Sequence, residues 1–218
     1  NMLRAFVTRS LLCLSLLGGG SLAADNPLFE YAEKGALNPL SQLSGSLLQQ
    51  SDHNGFTLVD YARSTHQTAV LKWANEIGLT SGVDKALVRR VQLWFYLLNV
   101  PVDNTLGIYN EPFRENILNF QRTRGLNENH YITPDWFEEL EIEAIYTLQN
   151  RLIDLGYQIP LTGILDSATI SLLQQLNDDP TAPLISASLI NNLRASDQAI
   201  DRPHLAYLIS NRGELVEE

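Results

Sequence analysis

The C-terminal half of this 218-residue chain carries one pattern twice. The first copy runs from Val88 to Leu140 and the second from Ile145 to Leu193. Gln92 aligns with Gln149, Leu98 with Leu155, Gly107 with Gly163, Ile108 with Ile164, and Phe120 with Leu176. Self-similarity at a period of roughly fifty residues marks a duplicated small module. The duplication confines the fold, because the two copies must satisfy one plan with different side chains. Duplicated modules bind or scaffold more often than they catalyse.

Apolar spacing makes that plan helical. In the first copy a helix over Val83–Leu98 places Leu87, Val91, Phe95 and Leu98 on one stripe. A second helix starts near Pro112, faces Phe113, Ile117, Phe120 and Gln121 inward, and ends at Gly125-Leu126. A short third helix holds Pro134, Trp136, Phe137 and Leu140, just after Ile132. The second copy repeats this with Ile145, Leu148, Leu152 and Leu155, then Thr169, Leu172, Leu173 and Leu176, then Ile185, Leu189, Ile190 and Leu193. The expected units are residues 83–142 and 143–197, with a tail over 198–218. In that tail Leu205, Leu208 and Ile209 suggest one more short helix, and the acidic end from Glu214 frays.

The N-terminal part divides at residue 24. Arg4 and Arg9, an apolar run from Leu11 to Leu17 and the small residues of Ser21-Leu22-Ala23 describe a secretory signal peptide over residues 1–24. The run is far shorter than the roughly twenty residues of a membrane span. Cys13, the one cysteine, lies inside it, so the mature chain would have no thiol, no disulfide and no cysteine metal site. Residues 25–80 read as short helical pairs around the polar turn Asp52-His53-Asn54-Gly55-Phe56-Thr57.

Charge excludes one class of partner. The formal net charge is −10, and it moves to −12 once Arg4 and Arg9 leave with the leader. An acidic chain lacks the basic footprint that nucleic acid or an anionic membrane surface requires. Residue patterns exclude others. His53, His66, His130 and His204 show no metal-ligand spacing, and no catalytic serine elbow, zinc-protease motif or phosphate loop occurs. Glu138, Glu139, Glu141 and Glu143 form an acidic cluster at the junction of the copies, where nothing in the sequence desolvates them as a glycosidase pair would require. The reading is therefore non-enzymatic, with no cofactor and no metal.

Two resemblances add to this. Asp52, Gly55, Thr57, Val59, Ala62, Val70 and Leu71 resemble ankyrin repeats, in which a turn of this form joins two repeats and the threonine caps the next helix. His66 stands where that family has glycine, and histidine tolerates the left-handed region better than most residues. Fewer than three such repeats rarely stand alone, so the segment should pack on its neighbour. The duplicated unit is similar to the peptidoglycan-binding-domain family of three-helix modules. The first copy offers Val88, Val91-Gln92, Leu98, Gly107, Tyr109, Phe120-Gln121 and Gly125-Leu126. The second offers Leu148-Gln149, Leu155-Gly156, Gly163, Leu165 and Thr169. It has Leu176-Asn177 in place of Phe-Gln, and the first copy has Asn99, Asn110 and Phe113 where the family has glycine, glycine and threonine.

The expected architecture is thus all-α: short ankyrin-like helical pairs packed on two tandem three-helix units, the second degenerate. The resemblance implies an exported periplasmic protein that binds peptidoglycan through its glycan or stem peptide. The ankyrin-like segment would serve a protein partner. The alternative is a periplasmic protein-protein interaction adaptor whose helical units only scaffold. Aromatic rings can stack on a sugar face and offer a polar handle. On that ground Trp94, Tyr96, Tyr109 and Tyr131, with Gln121, are the candidate ligand-binding residues, and all belong to the first copy.

Overall fold

The computed structural model describes residues 27–102, 106–177, 181 and 183–198. The proposed leader and the 199–218 tail lie outside these residues, as does His204. Apart from one isolated bridge between Ser51 and Thr57, the regular structure of the described residues is helical, in the order α1 (Leu28–Lys34), α2 (Leu37–Ser41), α3 (Gly45–Leu48), α4 (Leu58–Ser64), α5 (Thr68–Glu76), α6 (Lys85–Leu97), α7 (Glu111–Thr123), α8 (Pro134–Asp154), α9 (Ser167–Leu176) and α10 (Ala187–Gln198). The chain is therefore all-α. None of these helices is long and apolar enough to cross a membrane.

Side-chain caps set the main boundaries. Asp84 accepts from the Leu87 amide at the start of α6, Asn110 from Phe113 at α7, and Asp166 from Thr169 at α9. Each satisfies an amide that the first helical turn leaves without a backbone acceptor. The stops also correspond. After α6 the chain turns through Asn99 at φ +64°, and after α8 it turns through Gly156 at φ +98°. Asparagine is among the few side chains that accept this left-handed geometry, so the first copy keeps the turn without glycine.

One expectation is corrected. The third helix of the first copy and the first helix of the second are a single helix, α8, of 21 residues. The boundary expected at 142/143 falls in its middle. No glycine or proline lies between Pro134 and Gly156, so nothing in the chain interrupts the backbone hydrogen bonds there. A single hydrophobic cluster accordingly runs from Leu87 to Leu193 and includes Phe95, Phe113, Phe120, Trp136, Leu148 and Leu173. Phe95 sits at its centre, with its ring 5.4 Å from Phe120, 6.1 Å from Phe113 and 6.5 Å from Trp136. The last helix, α10, returns to α6, where the Tyr96 hydroxyl donates to Asn191 Oδ1.

The N-terminal helices have their own cluster around Leu28, Leu40, Leu58, Ala62 and Val70. Phe56 leaves it and is wholly buried in the larger one, edge-on to Phe137 at 5.3 Å. Burying such a ring contributes about 1.5–3 kcal/mol. Asp60 secures the connector. Its carboxylate, fully buried, accepts from the Thr57 amide, the Ser81 hydroxyl and the Gly82 amide. Gly82 passes so close to the 52–57 turn that a methyl group there would lie 1.8 Å from the Gly55 carbonyl oxygen. The left-handed turn expected at His66 is present, at φ +56°. Its side chain meets that of Asn127, between α7 and α8.

Candidate functional site

Three buried amide side chains organise the loops of the duplicated region. Gln92, on α6, accepts from the Gly107 amide and donates to the Ile108 carbonyl. Gln149, at the matching place on α8, accepts from the Thr162 and Gly163 amides and donates toward the Ile164 carbonyl and the Thr169 hydroxyl. The aligned Gln, Gly and Ile positions thus share one role. A buried amide fastens the loop that leads into the next helix, and it satisfies backbone groups that would otherwise be buried without partners.

Gln121, on α7, is the third. It is 1% exposed; its oxygen accepts from the Asn129 and His130 amides, and its nitrogen donates to Asn129 Oδ1. Among the candidate ligand-binding residues it is therefore a correction, because both ends of its amide are occupied within the chain. Asn177, which stands in its place in the second copy, donates to the Leu184 carbonyl at 3.2 Å. The shorter side chain still holds the corresponding loop.

Trp94 is a second correction. Its ring was expected to stack on a ligand, yet the side chain is 3% exposed within the common cluster. The extra apolar cover comes from the second copy: Leu165, Leu184 and Ile185 line the same cavity as Trp94, Leu93 and Arg90. Tyr96 does lie off the stripe, but α10 covers it. Besides the bond to Asn191, the Arg194 guanidinium sits 4.0 Å above its ring. No period within one copy could announce either cover, since both come from residues of the other copy, about seventy to a hundred positions away.

The other two candidates do reach solvent, at one place. Tyr109 is 40% exposed and Tyr131 is 39% exposed. The Tyr109 hydroxyl donates to the His130 carbonyl at 2.5 Å, and the His130 ring lies 4.5 Å from the Tyr131 ring. His130 itself takes φ +57°, a geometry that the two amides bound by Gln121 help to fix. Partial burial pushes the Tyr109 phenol up to about 12, so it remains a neutral donor. Burial, with Arg114 and Arg63 nearby, holds the His130 imidazole below its ordinary value, which favours the uncharged ring. The arrangement is a ledge of two tyrosine rings and one imidazole.

Sequence reasoning missed one member of this group. Arg63, from α4, places its guanidinium 4.4 Å from the centre of the Tyr131 ring. Its position two residues before the Thr65-His66 turn gave no signal, because the partner ring is far along the chain. The acidic cluster at the centre of α8 is partly neutralised: Arg90 pairs with Glu141 and Arg124 with Glu143. No group of three or more histidine, cysteine, aspartate or glutamate side chains among the described residues could hold a metal ion. Comparison of the chain with family models, curated proteins and solved structures finds no match in any of the three.

Proposed function

We propose that this is an exported, non-catalytic protein of the periplasm that binds peptidoglycan, with the Tyr109–His130–Tyr131 ledge as its contact surface. One observation carries the reading: two tyrosine rings from the first copy stand in solvent on a backbone fixed from within by Gln121. Rigid exposed aromatics suit the apolar face of a sugar ring, and their ordering is complete before a ligand arrives. The resemblance of the duplicated unit to wall-binding modules supplies the ligand class, a glycan or its stem peptide. The N-terminal helices then serve as a platform that also offers a surface to a protein partner.

The test is sedimentation with purified sacculi. The mature protein should enter the pellet at modest salt, and Tyr109→Ala with Tyr131→Ala should reduce binding about thirtyfold, since each ring contributes about 1 kcal/mol. Muropeptide release should stay at the level of untreated sacculi. A wild-type protein that remains in the supernatant would end this reading and leave the adaptor, with its helical units as scaffold.

A further inference from the structure

An arginine without a carboxylate is unexpected in a chain of net charge −10. Arg90, Arg114, Arg122 and Arg124 each lie within ion-pair distance of a glutamate. Among the described residues Arg63, like Arg89 and Arg194, has no such partner, and of these three it alone stacks on a ring of the exposed ledge. Its contact is the face of Tyr131, at 4.4 Å. Stacking of this kind orients the guanidinium plane and leaves its N–H edge free for an anion. The neighbouring titratable groups do not supply that anion. His130 is adjacent, and burial first, then the positive charges of Arg114 and Arg63, hold its basicity down. Arg114 is already engaged by Glu111 and Glu115.

Resting on the wall-binding reading above, we infer that Arg63 completes the ledge as a carboxylate subsite. The ligand it fits is a sugar ring with a carboxylate close beside it. The sugar lies against the exposed Tyr109 ring and the open edge of Tyr131, and the carboxylate accepts from the Arg63 edge. The site is therefore composite. Its aromatic floor belongs to the first copy and its cation to the N-terminal helices, so α4 is a part of the binding surface in its own right. In peptidoglycan such a carboxylate has two sources, the stem peptide or the sugar's own lactyl group once the peptide is removed. Both present the same chemistry to Arg63.

The experiment crosses one substitution with one change to the ligand. Binding of wild type and Arg63→Gln is measured on intact sacculi and on sacculi whose carboxylates have been converted to neutral amides. Loss of a charge-assisted hydrogen bond should weaken binding to intact sacculi about tenfold. Amidation should weaken the wild type by the same factor. Arg63→Gln should lose nothing further on amidated sacculi, because the partner is already gone. Sacculi stripped of peptide by an amidase form the third arm. Retained sensitivity to Arg63→Gln shows that the freed lactyl carboxylate also fills the subsite, and lost sensitivity confines the subsite to the stem. Equal weakening by Arg63→Gln on intact and amidated sacculi would overturn the inference, as would no weakening on either. In both cases wild-type binding persists and the ledge stands without its cation. Absence of wild-type binding to any of the sacculi would instead remove the wall-binding reading itself.

Discussion

The two copies solve one problem with different chemistry. In each, a buried glutamine on the first helix must hold the loop that leads to the second. Gln149 does so within a polar cage in which Thr162, Gly163, Ile164 and Thr169 all face the amide. Gln92 holds Gly107 and Ile108, but the position of Thr169 is taken by Phe113, which is buried and points its ring toward Phe95 and Tyr109. Facing its glutamine, the second copy thus places the Thr169 hydroxyl, whereas the first packs the Phe113 ring at the matching position. The copy judged degenerate in sequence keeps the threonine that faces the buried amide. The copy that kept its aromatics uses most of them as core and exposes Tyr109 at the edge of that packing.

This contrast can be broken most severely at the glutamines. Gln149→Leu leaves the Thr162 and Gly163 amides unsatisfied in the interior, at a cost of about 1–3 kcal/mol for each group. A total destabilisation of about 4 kcal/mol is expected in urea unfolding. Gln92→Leu should cost about 2 kcal/mol, since the aromatic packing around Phe113 persists. Equal costs would show that the polar cage adds nothing. At the next level, Phe113→Thr should lose about 3 kcal/mol through the cavity it opens. The reciprocal site is less sensitive: Thr169→Val should lose only about 1 kcal/mol, the worth of one hydrogen bond. A larger loss at Thr169 than at Phe113 would invert the comparison.

The smallest effect concerns the caps of α7 and α9. Partial burial raises the Asp166 pKa, but hydrogen bonds from Thr169, Thr162 and the Ala168 amide outweigh it and hold the carboxyl below its ordinary value. A folded pKa below the unfolded one adds stability that is complete above the ordinary carboxyl range. That stability disappears as the pH falls through the depressed value. Asn110 caps α7 with a neutral amide and carries no such dependence. Asp166→Asn should therefore leave a competent cap at neutral pH, within about 0.5 kcal/mol. Thermal melts from pH 7 down to pH 3 should show a shallower acid loss for the variant. An unchanged acid slope would place that loss elsewhere.

The helical class and the aligned positions were legible in the sequence because period and punctuation are local properties. Leu87, Val91 and Phe95 recur at helical spacing and are buried as expected. The continuity of α8 was also legible, since the chain from Pro134 to Gly156 contains no breaker; the similarity of the copies drew attention to a boundary that the backbone does not make. Site residues were harder. Gln121 aligns with a motif, but a motif does not reveal whether an amide faces solvent or two backbone N–H groups. Trp94 and Tyr96 were covered by α10 and the loop before it, and Arg63 reached Tyr131 from another region. Each of these depends on long-range packing, which spacing along the chain does not encode.

The shared helix α8 has a mechanical consequence. At 1.5 Å per residue its 21 residues form a rod of about 30 Å. One end begins three residues after Tyr131, and the other carries Gln149 with the loop it fastens. Between independent beads on a string, an attachment at one leaves the other free to swivel. Here the rod would convert an attachment at the ledge, if the proposed binding holds, into a set heading for the whole second copy, with the exposed Tyr146 and Ile164 facing a fixed direction.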